Sequence, residues 1–434
     1  MAERHFGRFT GALLILLLFL FPLMLLLARA EGTPQPPTLL FWLLLILPLL
    51  ILPWLWRAVA LEERARDARA TRREPDDAAG ADMSSLVNPL VDVDRSYVRA
   101  GIPIVEGRLR AEAARAYDLL EKVLAPRRLT PLIEDRGSER VRIIGLPKAT
   151  QRELERRPSA AINVILFLAT IATTIWTGAM HQGVNLLRTP GEFMVGVPYS
   201  AALLGILGVH ELGHYVAGRL HGITVTLPYF VPVPMGLGTF GAFIQIKSLI
   251  KTRRAVFDVG IAGPLAGLVI ALPALYFGLR NAPAVSDDST TGVHLGSSLL
   301  LAIIHQLANG GQLGDTVIRL SPVAFAGWIG LFITALNLMP VGQLDGGHIA
   351  YGLFGQRRAR QIGVAVFLSM LGLGLFIWPG LLTWALLIAL MAGFSHIPAL
   401  DDVTPPDRKR FALGAVALAI LLLTILPLPA ALLD

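Results

Sequence analysis

Three ionisable side chains, His210, Glu211 and His214, lie within five consecutive residues of a long apolar run. On a helix, residues four apart share one face about one turn apart, so both imidazoles can reach a single metal ion. Glu211 is offset by one residue toward a water molecule beside such an ion, which is the position of a general base. Ionisable groups in a membrane span cost about 2.5–3.5 kcal/mol each, so packing alone does not account for this group. The pattern indicates a catalytic metal site.

Two histidines leave a catalytic zinc ion short of its usual three protein ligands and one open position. The chain has no cysteine, and the best candidate for the third ligand is Asp345, eight residues after Asn337. Pro340 and three glycines interrupt the apolar run around it, and irregular backbone at membrane depth is tolerated only where protein or a water-filled cavity surrounds it. The alternative is that Asp345 is an ordinary carboxylate at the cytoplasmic end of a span.

The composition is that of a multi-pass membrane protein. Of 434 residues, 54% are hydrophobic and 16% are charged, and the mean hydropathy is +0.61, whereas soluble domains carry about 25% charged residues. A collagen, a disordered tail and a disulfide scaffold are excluded. Nine segments are long and apolar enough to span, namely 9–28, 39–56, 160–177, 199–220, 255–279, 321–340, 361–378, 380–397 and 411–430. A tenth segment, 295–307, is shorter and suits an interfacial or re-entrant helix better. If it did span the membrane, the orientation of every later span would be reversed.

The basic residues indicate the orientation of these spans. With the amino terminus in the cytoplasm, only four of the 38 Lys and Arg residues lie outside, namely Arg29, Arg188, Arg280 and Arg319. This asymmetry follows the positive-inside rule, so the net charge of +7 reflects membrane topology, and no nucleic-acid partner is expected. The same orientation places His214 and Asp345 in the cytoplasmic third of the membrane, where they can meet.

We divide the chain into an N-terminal transmembrane hairpin (1–56), a charged linker (57–85), a cytoplasmic α+β module (86–158), an intramembrane core (160–400), and a cytoplasmic loop with a C-terminal transmembrane helix (401–434). Within the module, hydrophobic spacing predicts a helix over 109–124 and strands over 129–133 and 141–144. No cluster there suggests chemistry, so a docking or spacer role is expected. The first span lacks a cleavage site and should remain in the mature protein.

The segment 225–249 is rich in Val, Leu, Phe and Ile together with Pro and Gly, which favours strands over helix. We predict a membrane-embedded β-hairpin or sheet beside the metal. A strand edge cannot face lipid, and pairing with an unwound substrate strand would satisfy both backbones. The expected substrate-binding residues are Thr239, Phe240, Gly241, Ala242 and Phe243. The alternative is a plain connecting loop.

The predicted fold class is a polytopic α-helical membrane protein of about nine spans, with this hairpin and a small cytoplasmic α+β insert.

The HExxH helix, the NxxPxxxxDG segment and the arrangement of spans together resemble the site-2 protease family of intramembrane zinc metalloproteases. The stretches that begin LPYFVPVP, LGTFGAF and AGPLAG at Leu227, Leu237 and Ala262 are similar to its plastid and bacterial subgroup, typified by the ethylene-dependent gravitropism-deficient and yellow-green proteins. The similarity covers roughly residues 160–400.

The resemblance implies a role for five residues. His210, His214 and Asp345 would be the Zn²⁺ ligands, Glu211 the general base, and Asn337 a catalytic residue that helps to hold the substrate or the oxyanion. His348 follows the Asp-Gly-Gly sequence and is expected to lie around the ligands or at the cytoplasmic face. It is not expected to be a fourth ligand, because that would close the open position that catalysis needs.

We therefore expect an intramembrane zinc endopeptidase that cleaves transmembrane segments of membrane proteins. The alternative is a membrane metal-binding or transport protein without protease activity, which predicts charged residues along several spans, whereas here they cluster at one depth. The expected partners are a transmembrane protein substrate and the lipid bilayer. The 33 Arg against 5 Lys suggest a GC-rich bacterial genome, and hence a bacterial inner membrane with the active site towards the cytoplasm.

Overall fold

The computed structural model describes residues 83–99, 101–137, 139–148, 160–234, 236–281, 298–310, 320–376, 381–382, 385, 388 and 398–426. The predicted spans 9–28 and 39–56, most of 380–397 and most of the linker 57–85 lie outside these residues. Domain boundaries that fall on them stay predictions.

A four-stranded antiparallel sheet, one long helix and a short helical segment at 83–87 form an α+β module, which we define as the described residues within 83–148. The strands are β1 (Val91–Arg99), β2 (Ile102–Leu109), β3 (Leu129–Gly137) and β4 (Arg140–Pro147), in the order β1-β2-β4-β3, and the helix is α1 (Ala113–Leu124). The predicted strands 129–133 and 141–144 lie within β3 and β4. The predicted helix begins too early, because Leu109 pairs with Val91 as the last residue of β2. Apolar residues including Val105, Leu120 and Ile143 form the module's core.

The remaining described chain is largely helical. Its helices are α2 (Ala160–His181), α3 (Val197–Leu220), α4 (Arg253–Arg280), α5 (Leu299–Asn309), α6 (Pro322–Leu338), α7 (Asp345–Phe376) and α8 (Arg408–Ile425). Within the described residues, four helical segments are long and apolar enough to cross a membrane: Ala160–His181, Pro190–Leu220, Arg253–Arg280 and Asp345–Phe376. This confirms a helical membrane protein. The count of nine spans stays a prediction.

Helix α5 corresponds to the tenth apolar stretch. It begins after Ser298, whose side chain accepts a hydrogen bond from the Leu301 amide, and ends at Gly310 in a left-handed conformation. Its 11 residues extend about 16 Å at 1.5 Å per residue, roughly half the thickness of a bilayer's hydrocarbon core. The helix packs against α4 and α8, so the interfacial or re-entrant interpretation of 295–307 fits its length.

Helix α7 has a break at Gly355, where φ is +77° and ψ is 173°. Just before it, the buried Arg253 side chain donates hydrogen bonds to the carbonyl oxygens of Gly352 and Leu353, at 3.2 and 2.9 Å. A cation at a helix C-terminus satisfies free carbonyls and complements the helix dipole. The Arg253 side chain therefore caps the C-terminus of the first part of α7 (345–354). The predicted span 361–378 corresponds to most of the second part (356–376).

The module is joined to the helical core by backbone hydrogen bonds. The Ile133 amide of β3 donates to Leu400 O at 2.7 Å, and the Asp402 amide donates to Ile133 O at 3.1 Å. On its other side the same segment receives two more bonds, because the Leu400 amide donates to Ile250 O and the Asp401 amide to Lys251 O, both at 2.9 Å. Residues 400–402 thus form an extended connection between the edge of the module's sheet and the segment preceding α4.

Candidate metal centre

Three ligand side chains meet inside the helical core. His210 and His214 lie one turn apart on α3, and Asp345 is the first residue of α7. The Nε2 atoms of the two histidines are 3.1 Å apart. Asp345 places Oδ2 3.3 Å from His210 Nε2 and Oδ1 3.3 Å from His214 Nε2. Asp345 Oδ2 is buried without a hydrogen-bond partner, so its lone pairs remain available to another group.

These spacings fit a metal ion. Atoms that bind a tetrahedral zinc ion at about 2.0–2.1 Å lie about 3.3 Å from one another. The two Nε2 atoms, and each Nε2 atom and its nearer Asp345 oxygen, are separated by similar distances. Two imidazole nitrogens and a carboxylate are also the donor types of catalytic zinc sites, in which the fourth position stays open. His210, His214 and Asp345 can therefore hold a metal ion between them.

A backbone carbonyl orients one of the two imidazoles. His214 Nδ1 lies 2.7 Å from Val259 O on α4. Because a carbonyl oxygen only accepts, Nδ1 carries the proton and donates it, which leaves the lone pair on Nε2. An outer hydrogen bond of this kind fixes both the tautomer and the direction of a metal-binding imidazole.

Glycines on α4 make the space that the histidines occupy. A methyl group at Gly263 would overlap the His214 ring, and one at Gly267 would lie 3.2 Å from His210 Cβ and Nδ1. At Gly260, one turn earlier, it would lie 2.7 Å from His348 Cβ. These three glycines recur at spacings of three and four, as small residues do where membrane helices pack closely. Helix α4 therefore forms the wall behind the metal ligands.

Glu211 lies beside the ligands and contacts the two-stranded sheet. Its side chain is buried, and its carboxylate accepts a hydrogen bond from the backbone of Ile244. The sheet consists of β5 (Tyr229–Pro232) and β6 (Thr239–Phe243), in which Phe230 pairs with Ala242. The predicted hairpin therefore forms, and its second strand ends at the candidate base. Its location within the membrane stays a prediction.

Polar side chains of α2 and α3 hold this hairpin against the helical core. Asn163 Nδ2 donates to the carbonyl oxygens of Leu227 and Pro228, both at 2.9 Å. Thr173 Oγ1 donates to Gly238 O at 2.7 Å, and Tyr199 Oη donates to Leu237 O at 2.9 Å. Backbone acceptors outside regular structure thus find partners within the protein, which a bilayer interior requires.

The five predicted substrate-binding residues all lie on β6. The Thr239 hydroxyl is buried, donates to Val231 O and accepts from the Gly241 amide. Gly241 has φ of +101°, which favours glycine. Phe240 is 73% exposed and Phe243 is half-exposed, so β6 presents two aromatic rings outward. Their contact with a substrate stays a prediction.

Two further residues lie near the ligands. Asn337 Nδ2 is 3.4 Å from His210 Nε2, so its amide reaches the region between the ligand nitrogens. His348 packs against Gly260 and is not one of the three ligand side chains identified in the described chain.

The structure thus brings together His210, Glu211, His214, Asn337 and Asp345. The sequence analysis did not single out Val259 or Ile244, and it noted Gly263 and Gly267 only as part of the AGPLAG stretch, although the glycine spacing was a usable signal.

Comparisons with known proteins identify a family and several relatives to which this chain is similar. Residues 198–377 match peptidase family M50. The chain is 32% identical over 293 residues to the "Probable zinc metalloprotease EGY1, chloroplastic" of Arabidopsis thaliana, which covers 61% of this chain and 53% of that protein. It is 34% identical over 240 residues to the Arabidopsis thaliana protein named EGY2, with 54% and 42% covered. It is 31% identical over 280 residues to the Oryza sativa subsp. indica protein named EGY3, with 60% and 47% covered.

These matches confirm the resemblance to the site-2 proteases and to the ethylene-dependent gravitropism-deficient and yellow-green subgroup. The chain spans about half the length of the curated relatives that it matches. No solved structure matches it.

Proposed function

Residues 198–377 belong to peptidase family M50, the site-2 protease family, and from this premise we propose that the chain is an intramembrane zinc endopeptidase. The single observation that carries the proposal is the set of ligand atoms of His210, His214 and Asp345, 3.1–3.3 Å apart, with the Glu211 carboxylate beside them. The proposed substrates are transmembrane segments of other membrane proteins.

In this proposal His210, His214 and Asp345 hold Zn²⁺, which would polarise the scissile carbonyl and lower the pKa of a nearby water molecule. Glu211 accepts the proton of the attacking water and later delivers it to the leaving amine. The Ile244 amide keeps the Glu211 carboxylate in place. Asn337 Nδ2 donates a hydrogen bond to the carbonyl oxygen of the substrate as negative charge develops there.

The hairpin supplies the second part of the proposal, which is how a helical substrate is presented. A peptide bond within a helix hides its carbonyl in the backbone hydrogen-bond ladder, so the substrate must unwind locally. An extended substrate segment would pair with the residues 239–243, whose strand ends beside Glu211. Pairing would satisfy the unwound backbone and align the scissile bond with the metal ligands.

The chain is an integral membrane protein, and we place its active site towards the cytoplasm from the distribution of basic residues. The relatives carry the word chloroplastic in their names, so they do not support the bacterial inner membrane that the arginine content suggested. The proposed partners are a transmembrane protein substrate and the surrounding lipid.

Reconstituted protein separates the protease from a metal transporter. We expect purified wild type to hold about one zinc ion per chain, because one ligand set of this kind lies in the described residues. It should also release fragments from co-reconstituted membrane proteins. Glu211→Gln should retain zinc and release none. Zinc flux into proteoliposomes that is equal for both proteins, without any fragment, would contradict the protease and support transport.

A further inference from the structure

A cavity of about 1380 Å³ lies between the module and the second part of α7. The strands β3 and β4 form one wall, and residues 353–368 of α7 form the other. Gly342 and Gly347 also border the cavity. Gly347 is two residues from Asp345, which is about 200° around a helix, so the cavity lies behind the ligand-bearing segment. It is therefore separate from the site at which a substrate would meet the metal.

The cavity carries an excess of positive charge. Six arginines and three acidic residues line it. Two of these arginines are already engaged, because Arg142 pairs with Glu106 at 2.6 Å and with Glu134 at 3.8 Å, and Arg253 donates to the carbonyls that end the first part of α7. The other four have no ion-pair partner in the part of the chain that the structure describes, and they are Arg136, Arg357, Arg358 and Arg360.

The four unpaired arginines come from both walls. Arg136 lies near the end of β3, and the other three follow the break at Gly355. Arg357 Nη1 lies 3.7 Å from the position that a methyl group at Gly137 would take, so the two walls approach each other here. These four arginines are exposed, and the three acidic residues of the lining do not balance the six arginines, so a bound anion would offset the excess positive charge.

The cavity changes from polar to apolar along α7. Gln361, Val364, Ala365 and Leu368 continue the face that begins at Arg357, with the spacing of one helix side. Leu368 is 58% exposed. Leu368 lies 11 positions after Arg357, a rise of about 16 Å along the helix. On the proposed orientation, charged groups lie at the cytoplasmic surface and apolar groups lie deeper, which is the order of headgroup and acyl chain in a phospholipid.

We propose that this cavity binds a phosphate-bearing anion, whose phosphate group is held by Arg136, Arg357, Arg358 and Arg360. Arginine's planar fork matches phosphate oxygens, and two or more such contacts give strong charge-assisted hydrogen bonds. The apolar end of the cavity favours an anionic phospholipid as the source, since basic pockets on the cytoplasmic side of membrane proteins bind such headgroups. The bound phosphate links the module to α7 behind the Asp345 segment.

The test measures the melting temperature of the purified full-length chain in neutral detergent, so it does not depend on protease activity. Three additives are compared at equal concentration: dihexanoyl phosphatidylglycerol, dihexanoyl phosphatidylcholine and inorganic phosphate. A ligand at about ten times its dissociation constant should raise the melting temperature by about 2–4 °C. We expect this rise with phosphatidylglycerol and none with phosphatidylcholine.

Two triple variants with the same loss of charge provide the control. Arg357→Gln, Arg358→Gln and Arg360→Gln together should abolish the rise. Arg95→Gln, Arg99→Gln and Arg108→Gln change exposed arginines on β1 and β2, which do not line the cavity, and should preserve it. If the first variant does not fold, Arg136→Gln tests the opposite wall and should reduce the rise.

The outcomes distinguish the sources of phosphate. A rise with phosphatidylglycerol alone supports a lipid headgroup, and an equal rise with inorganic phosphate supports the phosphate group as a free ligand. An equal rise with phosphatidylcholine, no rise with any additive, or equal behaviour of the two triple variants would overturn the proposal.

Discussion

At the scale of single residues, the two histidines are held in different ways. His214 is fixed by its hydrogen bond to Val259 O, whereas His210 Nε2 faces His214, Asp345 and the amide of Asn337. Asp345 approaches both rings, so its carboxylate would complete the ligand set. Glu211 lies outside this set and is held by the backbone of Ile244. Ligand and base are thus separable by mutation.

A matched pair of isosteric changes uses this separation. Asp345→Asn should lower zinc affinity at least tenfold, because a neutral amide binds Zn²⁺ more weakly than a carboxylate does. A tenfold loss corresponds to about 1.4 kcal/mol of binding free energy. Glu211→Gln removes the same charge nearby and should retain zinc. Elemental analysis of both purified variants is the measurement. Undiminished zinc in Asp345→Asn would mean that the third ligand is another residue.

At the scale of elements, α4 is the scaffold of the centre, because it packs against α3, α6 and α7. Its glycines permit this close approach on both sides. Gly263 and Gly267 receive the histidines of α3, and Gly278 lies against the backbone of Ala324 on α6. Dispersion between closely packed backbones is a main source of helix association in lipid, so these positions serve both packing and the geometry of the metal ligands.

We expect Gly263→Ala to displace the His214 ring, because the added methyl group would overlap its Nε2, Cδ2 and Cε1 atoms. Zinc retention should fall severalfold, and stability should fall by about 1–3 kcal/mol, as for an overpacked core. Gly205→Ala on α3 is the control, since its nearest neighbour, Ile270 Cγ2, is 4.0 Å away. Equal zinc content in both variants would show that α4 does not set the position of His214.

The edge of β6 can be tested by removing backbone donors. Proline at Ala242 or at Phe243 removes one N–H each, and at least one of the two should reduce cleavage sharply while zinc content and thermal stability stay near wild type. Phe240→Ala is the side-chain control, because it keeps the backbone and removes a 73% exposed ring. If both proline variants are stable and cleave at the normal rate, the hairpin does not bind substrate by strand pairing.

At the scale of the whole molecule, the module and the helical core are built as one piece. The strand-like residues 400–402 bond to both, and the junction contains buried polar groups. Tyr351 Oη donates to Asp402 Oδ1 and accepts from the Ala399 amide, both at 2.7 Å. Burial raises the pKa of Asp402 to about 6, although the bond from Tyr351 and the charge of Arg253 oppose the rise.

This junction predicts a pH dependence of stability. A carboxyl whose pKa is higher in the folded than in the unfolded chain binds its proton more tightly when folded. The contribution of Asp402 to stability is therefore present below about pH 4 and is lost as the pH rises through its folded pKa of about 6. Relative to Asp402→Asn, the wild-type melting temperature should fall between pH 4 and 7. Parallel curves for the two proteins would contradict this.

The sequence allows the metal ligands to be predicted because their signals are local: a helical spacing for His210 and His214, and a break in an apolar run for Asp345. The missed features depend on contacts between distant segments. The pairing of Ile133 with residues 400–402, the cap that Arg253 places on α7 and the carbonyl of Val259 each join parts of the chain that are far apart in sequence. Strands β1 and β2 were missed because polar residues interrupt their alternation.

The most direct test of the central claim compares membranes from cells that express the wild type with membranes from cells that express Glu211→Gln, by sequencing the new termini of membrane-protein fragments. We expect fragments whose termini fall within transmembrane segments in the wild type, and we expect these fragments to be absent in the variant at equal expression and equal zinc content. Identical sets of fragments in the two membranes would contradict an intramembrane protease that uses Glu211 as its base.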